Sequence, residues 1–237
     1  MVAPVLSLRD VTFRWQRRLP PVLSIPAFSL GAGERVFLAG PSGTGKSTLL
    51  ALIAGIATPE QGEVAVLGQP LQRLGSGARD RLRADRLGII FQMFNLLPYL
   101  PVLDNVMLPC RFSRLRREHA TQRDGSPEAQ ARRLLGALGL DAAALLKRPV
   151  NTLSVGQQQR VAAARALMGA PALVIADEPT SALDADRRRE FVELLGNECD
   201  ASGAALLFVS HDHSLAPAFP RQLDLAEINL ARPEVSA

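Results

Sequence analysis

Eight consecutive residues of the sequence have the types and the spacing of a loop that binds phosphate. Residues 40–47 satisfy in full the pattern Gly-x-x-x-x-Gly-Lys-Ser/Thr. Glycines allow the backbone to curl until successive N–H groups point at phosphate oxygens, and a helix that follows adds the positive end of its dipole. We therefore expect a nucleotide phosphate site formed by Gly40, Pro41, Ser42, Gly43, Thr44, Gly45, Lys46, Ser47 and Thr48.

Three residues at the end of this loop have separate expected tasks. The ammonium group of Lys46 is expected to reach the β- and γ-phosphates, and the hydroxyl of Ser47 is expected to bind Mg²⁺. Thr48, the next residue, is expected to contact a phosphate closer to the nucleoside. These tasks require a strand before the loop and a helix after it.

A phosphate loop also needs a carboxylate that holds the metal ion, and Asp177 and Glu178 follow a short apolar run. Ligands in open α/β sheets bind at the carboxyl ends of the strands. We expect Asp177 to anchor Mg²⁺ through water, and Glu178 to orient or deprotonate the attacking water. An Asp-Glu pair alone is also typical of carboxylates that cap a helix, so this prediction depends on the combination with Lys46.

The elements that must position these residues are visible as apolar patterns. Residues 5–15 alternate between apolar and polar side chains and predict a strand, and a second strand is predicted near residues 22–30. Residues 35–39 form a short apolar strand that stops at the phosphate loop, and residues 46–54 have the spacing and length of a helix. Strand, loop and helix therefore follow one another as phosphate binding requires.

Further along the chain, residues 87–91 are another candidate strand. From residue 96 to about residue 156 the pattern is helical and rich in arginine, with a polar break at residues 121–127, which predicts a helical insertion. Short apolar runs at residues 173–176 and 204–210 then predict two more buried strands, each flanked by helices. Such strands are typical of a largely parallel sheet that helices cover on both faces.

Length and composition limit the class of protein. The chain has 237 residues, enough for one main domain, and 47% of them are apolar. Its longest apolar stretch, residues 166–176, is shorter than the roughly 20 residues that cross a bilayer. The first ten residues do not have the pattern of a secretory signal, so we expect a cytoplasmic location. The two cysteines, Cys110 and Cys199, are expected to be buried reduced thiols.

The net charge of +4 comes almost entirely from arginine, since Lys46 and Lys147 are the only lysines. A basic chain can bind nucleic acid or an anionic membrane surface. The arginines at residues 79–86, 111–117 and 187–189 are, however, interleaved with acidic or apolar residues and lack the aromatic platforms of single-strand binders. We interpret them as solvated helix faces and expect no nucleic-acid partner.

The run Leu153-Ser154-Val155-Gly156-Gln157 lies about twenty residues before the acidic pair. It closely resembles the signature of the nucleotide-binding domains of ABC transporters. Other elements follow in the order of that family: Gln92 after a predicted strand, the run at residues 181–184, and His211 after the strand that ends at residue 210. The resemblance covers nearly the whole chain.

The resemblance implies roles for residues that the phosphate loop alone does not explain. Trp15 matches the aromatic residue that stacks on adenine, although Phe13, two residues away, is an alternative. Gln92 matches the residue that links Mg²⁺ and the nucleophilic water to the membrane partner. His211 matches the switch histidine that contacts the γ-phosphate, and Asp184 matches the aspartate of a loop that crosses between subunits and helps to fix the catalytic glutamate.

The resemblance also implies that function requires two copies of the chain. In the family, the signature of one subunit contacts the γ-phosphate that the phosphate loop of the other subunit holds, which here assigns nucleotide contacts to Ser154, Gly156 and Gln157. The sequence departs from the common form at Val155, where glycine is usual. Valine is stiff and disfavours positive φ, which makes the backbone there uncertain, but we expect activity to be retained.

Residues 91–98, followed by Asp104-Asn105-Val106 and Pro109, resemble the ATPases of the lipoprotein-releasing and macrolide-exporting subfamily. That subfamily pairs with permeases that have few transmembrane helices and a large extracytoplasmic domain, and it converts ATP-driven dimer closure into mechanical motion. The resemblance implies that residues 92–117 receive the permease. Arg111, Arg114, Arg116 and Arg117 are then either near anionic headgroups or solvated.

Together the motifs and the resemblance predict an α/β P-loop NTPase with a mostly parallel sheet, a small N-terminal antiparallel β lobe and a helical subdomain. One nucleotide-binding domain spans residues 1–237, with an ATPase core at about 1–92 and 157–237 and the helical subdomain at about 93–156. The expected function is that of an ATP- and Mg²⁺-dependent homodimeric subunit that drives an integral membrane permease for export, lipoprotein extraction or mechanotransmission, on the cytoplasmic side of the inner membrane. The alternatives are a soluble ABC ATPase of DNA repair or translation, and a regulatory nucleotide binder without hydrolysis.

Overall fold

The computed structural model describes residues 3–41, 43–140, 142–181 and 183–231, and a five-stranded parallel sheet lies at its centre. The strands are β3 (Arg35–Ala39), β6 (Leu87–Ile90), β7 (Leu173–Asp177), β8 (Ala205–Val209) and β9 (Arg221–Asp224). Their order is β6-β7-β8-β3-β9, and each pair is parallel. The predicted core strands are present with ends within one residue of those expected, whereas the apolar pattern did not reveal β9.

A second, antiparallel sheet has the order β2-β1-β4-β5. It consists of β1 (Leu6–Phe13), β2 (Leu23–Leu30), β4 (Gln61–Val66) and β5 (Gln69–Pro70). The two predicted N-terminal strands therefore form the antiparallel lobe, to which β4 and β5 return from beyond the phosphate loop. The register of β1 on β4 shifts between Arg9 and Thr12, where Asp10 adopts a positive φ of 51°.

Both faces of the parallel sheet are buried, as its continuous apolar strands predict. In β7, Val174 and Ala176 pack into the core with the helices that follow β6 and β7. Leu173 and Ile175, on the opposite face, pack with the antiparallel sheet and with α1 (Lys46–Ile53). This arrangement confirms the predicted fold class, an α/β sheet with an antiparallel lobe and helices.

Helices occupy most of the chain between β6 and β7. They are α3 (Val102–Phe112), α4 (Arg114–Asp124), α5 (Pro127–Ala137), α6 (Ala142–Leu145) and α7 (Val155–Leu167). The predicted polar break is shorter than expected, because α4 continues to residue 124 before Gly125 and Ser126 separate it from α5.

Three further helices lie outside this region: α2 (Ser76–Arg86), α8 (Ala185–Ser202) and α9 (Leu225–Ile228). Within the described residues, no helix combines the length and the apolar character that spanning a bilayer demands. Cys110 and Cys199 are buried and free, as expected.

The interpretation of residues 111–117 as a solvated arginine face is wrong at one position. Arg116 is only 1% exposed, and its guanidinium donates hydrogen bonds to the carbonyl oxygens of Leu87, Ala166 and Met168. Burial lowers the pKa of Arg116 to about 10. Arg116 therefore joins α4 to the start of β6 and the end of α7 and is not available to lipid headgroups.

Candidate active site

Four loops that carry predicted site residues leave the same edge of the parallel sheet. The phosphate loop follows β3, Gln92 follows β6, Glu178 follows β7, and His211 follows β8. Parallel pairing brings these loops together, since Asp177 pairs with Val209 and Leu38 also pairs with Val209. The carboxyl edge of the sheet thus gathers residues that are far apart in sequence, as ligand sites in open α/β sheets require.

The phosphate loop has a backbone conformation that its glycines make possible. Gly43 and Gly45 have φ values of 85° and 98°, in the left-handed region that residues with a Cβ rarely adopt. A Cβ on Gly45 would lie 2.8 Å from Leu23 Cδ2, so a side chain there would also clash with β2. Helix α1 begins at Lys46, and its first free N–H groups face the loop. Ser42, predicted to contribute to this site, lies outside the described residues.

Lys46 connects the phosphate loop to the acidic pair. Its Nζ donates hydrogen bonds to the carbonyl oxygens of Gly40 at 2.5 Å and Pro41 at 3.2 Å. The same Nζ lies 3.7 Å from Glu178 Oε1, and both side chains are about nine-tenths buried. The ammonium group therefore lies between the loop that would hold phosphates and the carboxylate that would act on water. Thr44 Oγ1 closes the loop by donating to the Pro41 carbonyl at 2.8 Å.

The Glu178 carboxylate is held by the loop that follows β8. Oε1 accepts a hydrogen bond from the His211 backbone N–H at 3.1 Å, and Oε2 lies 2.9 Å from His211 Nδ1. Ser210 Oγ also donates to Oε2, at 3.4 Å. Glu178 is 8% exposed and has a φ of 46°. A non-glycine residue in this region stores strain, which is typical of functional sites.

Asp177 and Ser47 provide oxygen donors of the kind that Mg²⁺ prefers. Burial raises the pKa of Asp177, the neighbouring carboxylate of Glu178 raises it further, and Lys46 opposes that shift. The described residues contain no group of three or more His, Cys, Asp or Glu side chains arranged to hold a metal ion. Mg²⁺ uses few protein ligands and completes its shell with phosphate and water, so a pair of hard oxygens fits it.

Of the two aromatic candidates for stacking on adenine, Trp15 presents the accessible ring. Trp15 is 59% exposed, whereas Phe13 is 7% exposed and packs in the core. The two rings meet edge to face with centroids 5.0 Å apart, and Trp15 Nε1 donates to Thr48 Oγ1 at 3.3 Å. The ring of Trp15 therefore lies next to α1 and borders a cleft of about 220 Å³.

The signature-like segment forms the beginning of α7. Ser154 Oγ accepts a hydrogen bond from Gln157 N at 3.3 Å, and Gln157 Oε1 accepts one from Ser154 N at 3.0 Å, which is a capping box. Val155 is the first residue of the helix and 47% exposed. Its backbone is therefore helical, where valine is tolerated, and the concern about positive φ does not apply.

The hydrogen bonds of this segment are local. In the described part of the molecule, no hydrogen bond joins Ser154, Gly156 or Gln157 to residues 40–48. Asp184 is likewise engaged locally, since its Oδ1 accepts from Arg187 N at 3.0 Å and caps α8. In the described part of the chain, Ser154 and Asp184 thus bond locally and form no hydrogen bond with Lys46 or Glu178.

Sequence reasoning missed several residues that support the site. Asn229 donates from Nδ2 to the Thr44 carbonyl at 3.2 Å and to the Val22 carbonyl at 3.0 Å, which joins the phosphate loop to β2. Ser210 contacts Glu178, and Arg165 and Asn105 hold the loop after Gln92. Their contacts are distant in sequence or made to backbone atoms, so no local pattern marks them.

A model of the family described as ABC transporter matches residues 23–181 of this chain. The chain belongs to the ABC transporter family. A solved structure of the dimeric ATP-binding cassette MJ0796 in a post-hydrolysis state, bound to ADP and Pi, is similar to this ABC ATPase with a TM-score of 0.77 and 33% identity. The similarity covers 92% of this chain and 93% of that one.

Two further structures extend the comparison. Another dimeric structure of MJ0796, described as a bacterial ABC transporter cassette, has a TM-score of 0.76 and 32% identity, over 92% of this chain and 93% of that one. CbiO1 from Clostridium perfringens, part of the ABC transporter complex cbiONQ, has a TM-score of 0.76 and 25% identity, over 90% of this chain and 81% of that one. This ABC ATPase therefore binds and hydrolyses ATP, and its fold is that of an ABC cassette.

Proposed function

We propose that this ABC ATPase is a homodimeric subunit that closes around two ATP molecules and drives a separate integral membrane permease. The observation that carries the proposal is that, among the described residues of one chain, no hydrogen bond connects two sets of site residues, each of which we interpret as half of a site. Lys46, Glu178 and His211 lie at the carboxyl edge of the sheet, and the capped end of α7 presents Ser154 elsewhere. Each half-site is completed by the other half-site of a second copy, and the dimeric structures of MJ0796 support this arrangement.

In the proposed reaction, this chain's residues bind the phosphates and direct one water molecule. Lys46 exchanges its contacts with the loop carbonyls for the β- and γ-phosphates, and Trp15 stacks on the adenine. Glu178 accepts the proton of the water that attacks the γ-phosphorus, while His211 holds that carboxylate in place. Ser47 and Asp177 would hold Mg²⁺, with Gln92 beside it, and the bound ion would neutralise phosphate charge. The bond from the γ-phosphorus to the bridging oxygen breaks, giving ADP and Pi.

The permease is proposed to dock beside Gln92. Met93 and Tyr99 are 81% and 84% exposed, and Leu97 is 46% exposed, so this short loop presents three large, mainly apolar side chains to solvent. Exposed apolar clusters of this kind are typical of protein interfaces. We place the permease surface at residues 92–117, and we assign the chain to the lipoprotein-releasing and macrolide-exporting subfamily on its resemblance at residues 91–98.

The same resemblance supports the remaining parts of the proposal. The ATPase core comprises about residues 1–92 and 157–237, and the helical subdomain comprises about residues 93–156. Asp184 crosses to the partner subunit and helps to fix its catalytic glutamate, while Ser154, Gly156 and Gln157 contact the partner's γ-phosphate. The dimer works at the cytoplasmic side of the inner membrane.

Two variants test the catalytic part of this function. Glu178→Gln removes the proton acceptor but retains the shape of the side chain, so we expect a loss of turnover of about 100-fold or more together with an ATP-dependent dimer. Lys46→Ala removes the phosphate contact and should give neither ATP binding nor a dimer. Light scattering with and without ATP and a phosphate-release assay measure both. Turnover by Glu178→Gln at the wild-type rate would exclude Glu178 as the base.

A separate experiment tests the docking surface. Tyr99→Ser and Met93→Ser should reduce the amount of integral membrane protein that copurifies with the chain from native membranes, without changing ATP-dependent dimerisation. Ile56→Ser is the matched control, because Ile56 is 63% exposed and lies outside residues 92–117. Equal recovery of membrane protein with all three variants would contradict the proposed surface.

A further inference from the structure

The loop that follows Gln92 contains two consecutive residues in the left-handed region. Phe94 has a φ of 58° and Asn95 has a φ of 48°. Asparagine adopts this conformation more readily than most residues, but phenylalanine does so rarely. Two short-range bonds close the turn: Phe94 N donates to the Phe91 carbonyl at 2.9 Å, and Asn95 N donates to the Met93 carbonyl at 2.6 Å. A turn of this kind persists only where surrounding groups hold it.

Arg165, near the end of α7, holds this turn through both carbonyl groups. Its Nη2 donates to the Phe94 carbonyl at 2.6 Å, and its Nη1 donates to the Asn95 carbonyl at 2.7 Å. Burial lowers the pKa of Arg165. In the described part of the chain no carboxylate forms an ion pair with it. A largely buried cation is therefore committed to the two carbonyls of one strained turn, which charge-assisted hydrogen bonds make strong.

Asn105, on α3, fixes the other end of the same loop. It is fully buried, its Oδ1 accepts from Leu97 N at 2.8 Å, and its Nδ2 donates to the Leu97 carbonyl at 3.0 Å. The loop is thus attached at residues 94–95 by Arg165 and at residue 97 by Asn105. Gln92 lies in the backbone segment between Ile90, at the end of β6, and Phe94. Arg165 therefore fixes one end of the segment that carries Gln92.

The geometry points to Arg165 as a positioning residue for Gln92 in the ATPase reaction. Arg165 lies on α7, the helix that begins with the capping box of Ser154. A helix of 13 residues is about 20 Å long, so one rigid element joins the end that meets the partner's nucleotide to the loop that enters its own chain's site. Closure of the partner on α7 is thereby transmitted to Gln92. This inference rests on the proposed role of Gln92 and on the proposed dimer.

The test compares Arg165→Met with a rescue that removes the strain. We expect Arg165→Met to lower kcat about 10-fold with the KM for ATP changed less than about twofold, because a misplaced Gln92 affects turnover and not the phosphate loop. Phe94→Gly should raise the kcat of Arg165→Met at least about threefold, since glycine adopts without support the positive φ that phenylalanine rarely adopts. Arg132→Met is the control, because Arg132 pairs with Glu128 on the exposed face of α5.

Gln92→Ala separates failure of this inference from failure of the proposed function. If Arg165 acts through Gln92, the double variant Gln92→Ala, Arg165→Met should turn over no more slowly than Gln92→Ala alone. Fully additive losses, or no rescue by Phe94→Gly, overturn the role of Arg165 while the role of Gln92 stands. A wild-type kcat for Gln92→Ala overturns both. If Arg165→Met does not fold, the same measurements are made on Arg165→Lys, which keeps the positive charge but cannot donate to both carbonyls as the guanidinium does.

Discussion

At the scale of single residues, Glu178, the proposed catalytic base, is fixed in place by its surroundings. Its backbone occupies a left-handed conformation, and its carboxylate accepts hydrogen bonds from the loop after β8. A conformation of this kind costs on the order of 1–3 kcal/mol, which the pairing of β7 with β8 must offset. In this conformation Glu178 Oε1 lies 3.7 Å from Lys46 Nζ. The strain therefore lies at the residue that we propose to act on the attacking water.

Val155 provides a test of how much the signature depends on glycine. Because Val155 is the first residue of α7 and the capping box is made by Ser154 and Gln157, we expect Val155→Gly to change kcat by less than about threefold. Ser154→Ala, one residue earlier, should cost about 1 kcal/mol of helix stability and lower kcat more strongly, since it removes both the cap and the proposed phosphate contact. Steady-state ATPase assays compare the two. An increase in turnover of more than tenfold for Val155→Gly would show that the valine restrains the enzyme.

At the scale of elements, the sequence predicted the strands that end at the site because each is a short, mainly apolar run followed within two residues by a glycine, a glutamine, a carboxylate or a histidine. β9 was not predictable in this way, since Arg221–Asp224 contains one apolar residue and is a strand only through its pairing with β3. The burial of Arg116 had a weak signal: Ser113, Arg116 and Ala120 repeat at helical spacing, and all three are buried. Only the structure shows that backbone carbonyl groups of β6 and of the end of α7 accept hydrogen bonds from its guanidinium group.

Arg116 predicts a large stability effect from one arginine among several. Arg116→Met leaves the carbonyls of Leu87, Ala166 and Met168 without their donor, and we expect it to lower the free energy of unfolding by about 3 kcal/mol. Arg117→Met, on the exposed side of the same helix, should lower it by less than about 1 kcal/mol. Denaturant unfolding followed by circular dichroism measures both variants. Equal losses for the two would contradict the role assigned to the buried guanidinium.

At the scale of the whole molecule, arginines join the helices between β6 and β7 to their surroundings. Arg133, on α5, bonds to Asp124 Oδ1 and to Glu198 Oε2 on α8, each at 2.9 Å. Arg116, on α4, donates to the Leu87 carbonyl of β6, and Arg165, on α7, donates to the Phe94 carbonyl in the loop after β6. Planar guanidinium groups suit such multiple contacts better than ammonium groups, which gives a physical reason for a chain with many arginines and two lysines. One of those two lysines, Lys46, is the one that the phosphate loop requires.

Mixing two inactive variants tests whether each active site is shared between two copies. Lys46→Ala inactivates the phosphate loop, and Gly156→Asp places a negative charge at the start of α7, where an added Cβ meets only Leu183, at 3.5 Å. A mixed dimer has one site with both defects and one site with neither. Because half of randomly formed dimers are mixed, the mixture should recover about a quarter of the wild-type rate if the sites act independently.

The control is a single chain that carries both substitutions. Mixed with wild type, it leaves each mixed dimer with no site built from an intact phosphate loop and an intact signature, so it should add nothing to the rate of the wild-type homodimers. Phosphate release measured for the mixture with ATP, and for each variant alone, distinguishes the arrangements. If sites formed within one chain, the mixture of Lys46→Ala and Gly156→Asp would remain as inactive as its components. Recovery only in the mixture therefore requires that the phosphate loop of one copy and the α7 end of the other act on the same nucleotide.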